Sequence, residues 1–238
     1  MAAIFTLTLR QLAGSRRVWL VLALVSLPIL AGLLFHAAES TTTSTEFADD
    51  ITANLLVSAI LPLVVVLLGT SAFENELSDK TLSYLVLKPL PRWQVVAPKL
   101  LATLVVGGLP VAASGLAAVL LIEEGEASGA VATGIGLLVG AAAYAAVFTW
   151  AGLATRHAVI FGLVYVFIWE ASLAAYLDGI RFLSIRRYTL ALIAGLDDGR
   201  LRTVDLSLGA GAGAAGAAVV VVAFAALAVR RLSRMDVP

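Results

Sequence analysis

Side chains able to do chemistry are scarce in this sequence and lie far apart. There is no cysteine, so the chain has neither a thiol nucleophile nor a disulfide framework. His36 and His157 stand at the ends of apolar runs, and Ser114, followed by Gly115, lies inside a different one. A serine nucleophile needs a base within reach, so this pattern argues against an intramembrane protease. The H-E-x-x-H spacing of zinc proteases is absent. Met1 and Met235 with two separated histidines give no line of soft metal ligands. No G-x-x-x-x-G-K-[ST] loop occurs, and the glycine-rich stretch 209–216 lacks a lysine. No enzyme activity, metal site or cofactor is therefore expected in this chain.

One ionisable residue falls inside an apolar run. Glu170 lies near Tyr165 and Trp169, with Val166, Phe167, Leu173 and Ala174 as helical neighbours. An ionised carboxylate there is costly unless it is solvated or paired. Two readings stay open. It faces a translocation cavity, or it reaches outward to Arg181 or another arginine of the following loop.

The elements that must position these residues are membrane helices. Of the 238 residues, 61% are hydrophobic and 13% charged, a balance that excludes a water-soluble domain. Net charge is zero, so no nucleic-acid footprint exists. A bilayer core needs roughly 20 apolar residues in a helix. Six stretches qualify, at about 18–35, 53–73, 100–122, 128–152, 158–177 and 206–229. Backbone groups in lipid must pair within their own segment, which makes these helices. Pro28, Pro62 and Pro110 should kink them. The fold class is an all-α membrane protein, with 1–238 a single transmembrane domain. The first span is expected to be retained, because no clean cleavage site follows it.

Residues 1–17 place Ile4, Phe5 and Leu12 on one helical face and Thr6, Arg10 and Arg17 on the other, as in an interfacial helix. Gly136–Gly140 and Gly209–Gly213 are small-residue pairs suited to close helix packing, either within the chain or between two copies.

Lysine and arginine set the orientation. Segments 1–17, 74–99, 153–157 and 230–238 hold eleven of them. Segments 36–52, 123–127 and 178–205 hold five arginines, all in the last, against eleven carboxylates. Both termini should be cytoplasmic, with Arg181, Arg186, Arg187, Arg200 and Arg202 discordant. Arginine outnumbers lysine 13 to 3, which suggests a prokaryotic cell membrane.

Segment 74–99 carries the most information. Ser78 or Asp79 can cap a short helix over 80–87, which Pro89 and Pro91 stop. Leu82, Leu85 and Val86 share one face of it, Tyr84 and Lys88 another. Such an apolar helix outside the spans needs lipid headgroups or a protein partner.

This segment resembles the permeases of type-2 ATP-binding-cassette (ABC) exporters. The matching residues are Glu74 and Glu76, Thr81, Leu82 and Leu85, Pro89 and Pro91, Arg92, and Lys99. Asp79-Lys80 stands where that family commonly has a glycine. The resemblance implies six spans, an N-terminal interfacial helix and a cytoplasmic coupling helix between spans two and three. Glu74, Glu76, Thr81, Leu82, Tyr84, Leu85, Pro89 and Arg92 would dock a separate ATPase subunit, which would hold ATP and Mg. Two permease copies, as a homodimer in lipid, would join two ATPase copies. A short re-entrant or interfacial helix before the last span would bury Tyr188 to Leu196 and leave the arginines at the headgroups. The mostly aliphatic spans suit a hydrophobic or amphipathic substrate. An ion-driven secondary transporter and a non-transporting scaffold are the alternatives.

Overall fold

The computed structural model describes residues 2–37, 42–73, 91–155, 157–173, 184–197, 200–201 and 208–234. Among them there are helices and turns and no strand. Helix α1 is Ala2–Ala13 and α2 is Arg17–Ala37. A continuous helix α3, Ser44–Ala72, follows, then α4, Trp93–Ile122, and α5, Ala127–Ala154. Helix α6 covers residues 158–173, α7 is Ile185–Leu196 and α8 is Ala210–Ser233.

Five of these helices, α2, α3, α4, α5 and α8, are long and apolar enough to cross a bilayer. The fifth expected span is described only in part, and its apolar stretch, Ala158–Glu170, is shorter. Helix α3 starts nine residues before the expected boundary at 53. Thr43 accepts a hydrogen bond from the Glu46 amide at 3.3 Å and donates to its carboxylate at 3.2 Å. This local cap lets the helix begin in a polar turn.

Two of the expected proline kinks coincide with widened turns. Ile51–Ile60 and Leu104–Gly108 are wound as π-helix, and each is followed two residues later by a proline, Pro62 or Pro110. Proline lacks the N–H donor and pushes away the carbonyl four residues back, which opens the preceding turn. The third π segment, Tyr165–Leu173, contains no proline and carries Glu170.

Helix α5 is the central post and packs against α3, α4, α6, α7 and α8. Its small residues permit this. A Cβ at Gly136 would strike Ile193, and one at Gly140 would strike Thr189, both on α7. Gly213 similarly meets the backbone of Tyr188, whereas Gly209 faces open space. Gly136, Gly140 and Gly213 thus serve packing within the chain. Leu56, Ile60, Leu61 and Val64 of α3 meet Leu137, Tyr144 and Phe148 of α5 in the core.

Helix α1 lies against the first half of α4, with Thr8 and Leu12 buried and Thr6 and Arg10 exposed. Helices α2 and α8 are peripheral: only 22% and 17% of their most apolar stretches are buried in the chain. Their remaining apolar surface faces outward, as a lipid-facing helix requires.

Candidate functional site

Glu74, Glu76, Thr81, Leu82, Tyr84, Leu85 and Pro89 lie outside the described residues. Arg92 is described, and its carbonyl accepts from the Val95 and Val96 amides at 3.1 and 3.2 Å as α4 begins. The two helices flanking this segment are joined by Lys99, which is fully buried. Its ammonium donates to the Ala72 carbonyl at the end of α3 and lies 4.5 Å from the Phe73 ring centroid. A cation there meets both the negative end of a helix and an aromatic face.

Glu170 is 3% exposed, and its carboxylate sits at the N-terminus of α7. Oε2 accepts from the Ser184 hydroxyl at 2.5 Å. Oε1 accepts from the Ile185 amide at 2.9 Å and from the Tyr165 hydroxyl at 3.1 Å. Ser184 also caps the helix, accepting from the Arg187 amide at 3.3 Å. The first amides of a helix have no partner within it and carry partial positive charge, so a carboxylate satisfies both needs. One residue further on, Arg186 Nε donates to Ser58 Oγ at 2.6 Å, and that hydroxyl donates to the Ala53 carbonyl at 2.6 Å. Glu170 thus ties α6 to α7, and Arg186 ties α7 to α3.

Helix α5 serves as a ruler for the depth of this site. Arg200 lies beside Gly129, Ile193 beside Gly136 and Thr189 beside Gly140. The step from Gly129 to Gly140 is about 16 Å at 1.5 Å per residue, and Ile185 is one turn deeper. The N-terminus of α7 therefore lies about 20 Å in from the Gly129 end of α5. With 12 residues, α7 is about 18 Å long and cannot span. Non-helical backbone at such depth is tolerated only when protein satisfies it, which Glu170 does here. Of the run Tyr188 to Leu196, expected to be buried throughout, Thr189 to Ile193 are buried, whereas Tyr188 and Ala194 are half-buried and Gly195 and Leu196 are exposed at its open end. Arg186 and Arg187, expected at the headgroups, stand instead at the deep end of α7, with Arg187 8% exposed.

A second polar cluster closes the opposite end of α7, and sequence reasoning missed it. Arg200 is 4% exposed. Its Nε lies 3.2 Å from Asp49 Oδ1, and its Nη1 donates to Glu123 Oε1 at 2.5 Å. Nη2 donates to Thr52 Oγ1 at 3.0 Å and to the Ala48 carbonyl at 3.4 Å. The Leu201 amide donates to Asp49 Oδ2 at 2.8 Å. Leu201, at φ +55°, is held in the left-handed region by this contact, a conformation that costs a leucine about 1–3 kcal/mol. One guanidinium so joins the start of α3, the α4–α5 turn and the segment after α7. Burial pushes the Glu123 carboxyl above its ordinary pKa, and Arg200 opposes that rise. The only available signal was an arginine on the same side as two acidic loops.

These features define a multi-pass membrane protein with a short helix whose capped N-terminus is buried in the bundle. The family described as ABC-2 family transporter protein matches residues 14–176, about two-thirds of the chain, and the protein belongs to that family. It is a membrane permease of a family that is typically non-enzymatic, and membership implies an ABC ATPase subunit as partner. No curated protein and no solved structure matches the chain.

Proposed function

We propose that this chain is the transmembrane permease subunit of an ABC exporter, forming the translocation path and driven by ATP hydrolysis in a separate subunit. The family match from residue 14 to 176, which includes segment 74–99, carries this reading. Residues 80–92 form the coupling helix in it. Leu82, Tyr84 and Leu85 supply apolar contacts to the ATPase, and Glu74, Glu76, Thr81, Pro89 and Arg92 frame them. ATP and Mg bind the partner. Two permease copies as a homodimer and two ATPase copies make the transporter, with both termini in the cytoplasm of a prokaryotic cell. Glu170 stands on the translocation path through its hold on α7.

The test is a pull-down of the ATPase subunit by the Leu82→Ala/Leu85→Ala variant, with Glu74→Gln as comparison. A buried leucine contributes roughly 1.5–3 kcal/mol. Two truncations should weaken docking by about two to four orders of magnitude. The double variant should insert normally and lose both partner and transport, while Glu74→Gln mainly changes salt dependence. Retained partner binding and transport in the double variant would return this segment to the lipid interface.

A further inference from the structure

A groove of about 460 Å³ runs along the outside of the bundle between the first turns of α4 and the last turns of α8. Val96, Ala97 and Leu100 form one wall, and Ala225, Ala226 and Val229 the other. Both sets recur at helical spacing on one face, and both helices are long and apolar enough to cross a bilayer. Behind the groove, Ala228 and Leu232 pack with Val95 and Val96, so its floor is closed. The three alanines hold it open, because larger side chains there would fill it.

The chemistry along the groove changes with depth. Its deeper walls offer no polar side chain to hold water, and a dry void beside lipid forfeits the contacts of its lining atoms. A hydrocarbon chain restores those contacts. The other end carries Trp93, which is 51% exposed, together with Arg230 and Ser233. An exposed tryptophan on a membrane helix marks headgroup depth. Arg230 and Arg231 stand in the last turn of α8, and Arg234 follows them. Among the described residues no carboxylate lines the groove, and none occurs within α8. The C-terminus of α8 by itself repels an anion, so the arginines carry the attraction.

We propose that this groove binds one anionic phospholipid, with an acyl chain between α4 and α8 and the phosphate on Arg230. The volume lies within the roughly 300–1,000 Å³ of ligand pockets.

The experiment is native mass spectrometry of the delipidated full chain, supplied with phosphatidylglycerol or phosphatidylcholine of identical acyl chains. One basic residue near an anionic headgroup contributes about 1 kcal/mol, or about fivefold. The unaltered chain should retain one phosphatidylglycerol with about that preference. Arg230→Gln should abolish the preference and Arg231→Gln, outside the groove, should keep it. Ala226→Trp should block retention of both lipids, and Ala225→Leu carries the same test if the tryptophan variant does not fold. Equal retention of the two lipids by the unaltered chain overturns the proposal. Equal loss in the two arginine variants also does, because it reveals diffuse surface charge. So does unchanged lipid retention in Ala226→Trp, and if its oligomeric state then shifts, the groove belongs to a second copy of the chain.

Discussion

Removing Arg200 tests whether the cluster at the Gly129 end of α5 holds α7 in place. In Arg200→Ala, Asp49 keeps its hydrogen bond from the Leu201 amide, but Glu123 loses the guanidinium 2.5 Å away. Two carboxylates then share one buried site without a cation. Breaking a buried pair by removing one partner costs about 3–5 kcal/mol, because the surviving charge is left uncompensated. For a chain of this length the loss is about 6–20 °C in Tm. The four tryptophans make intrinsic fluorescence in detergent a direct readout.

The deficit should depend on pH, and its sign follows from the folded state. Burial already raises the Glu123 pKa, and Arg200 is what limits the rise. Without Arg200 the folded-state pKa climbs further above the unfolded value. A carboxyl in that situation favours the folded state at low pH, and this contribution is lost as pH rises through the folded pKa. Arg200→Ala should therefore lie closer to the unaltered protein at pH 5 than at pH 8. Adding Glu123→Gln to it should recover part of the loss at pH 8, since one uncompensated charge is gone. A Tm within 2 °C of the unaltered protein at pH 8, or a deficit equal at both pH values, would refute the reasoning.

Glu170→Gln keeps an oxygen to accept from the Ile185 amide, so expression should be nearly unchanged while transport falls; unchanged transport would confine Glu170 to capping α7. Gly140→Leu drives a side chain into Thr189 and should cost at least the 1–3 kcal/mol typical of overpacking, read as a lowered Tm, and a neutral result would show that α7 is not seated on α5. A cysteine introduced at Ser44 is unique in the chain and should react with an impermeant maleimide added to intact cells; protection there, with labelling of a cysteine at Ser78, would invert the proposed orientation.

Which features were legible depended on how far away the deciding partner lay. The apolar runs of α2, α3, α4, α5 and α8 need no partner to be recognised, since nothing but a helix satisfies their backbone in lipid. Their ends were less legible. The start of α3 rests on Thr43 and Glu46, a capping pair that an average over hydropathy hides. Glu170 was visible as an anomaly, but its partners were not. Ser184 and Ile185 lie 14 and 15 residues away in sequence, and hydropathy carries no sign of that contact. Lys99 was visible as part of a motif, and its attachment to Ala72 required the fold.

The arginines of the last loop show the same limit in the charge bias. Counting basic residues treats each as a cation at the membrane surface. Arg200 is instead enclosed by Asp49 and Glu123, which come from the two purely acidic loops on its own side. Arg187 is buried, and Arg186 is half-buried with its Nε on Ser58. Three of the five arginines assigned to that side are thus engaged inside the bundle. They are therefore not the surface cations that the count sets against the eleven lysines and arginines of the other segments. The bias behind the proposed orientation is therefore steeper than the raw count, because only Arg181 and Arg202, which lie outside the described residues, are left to oppose it.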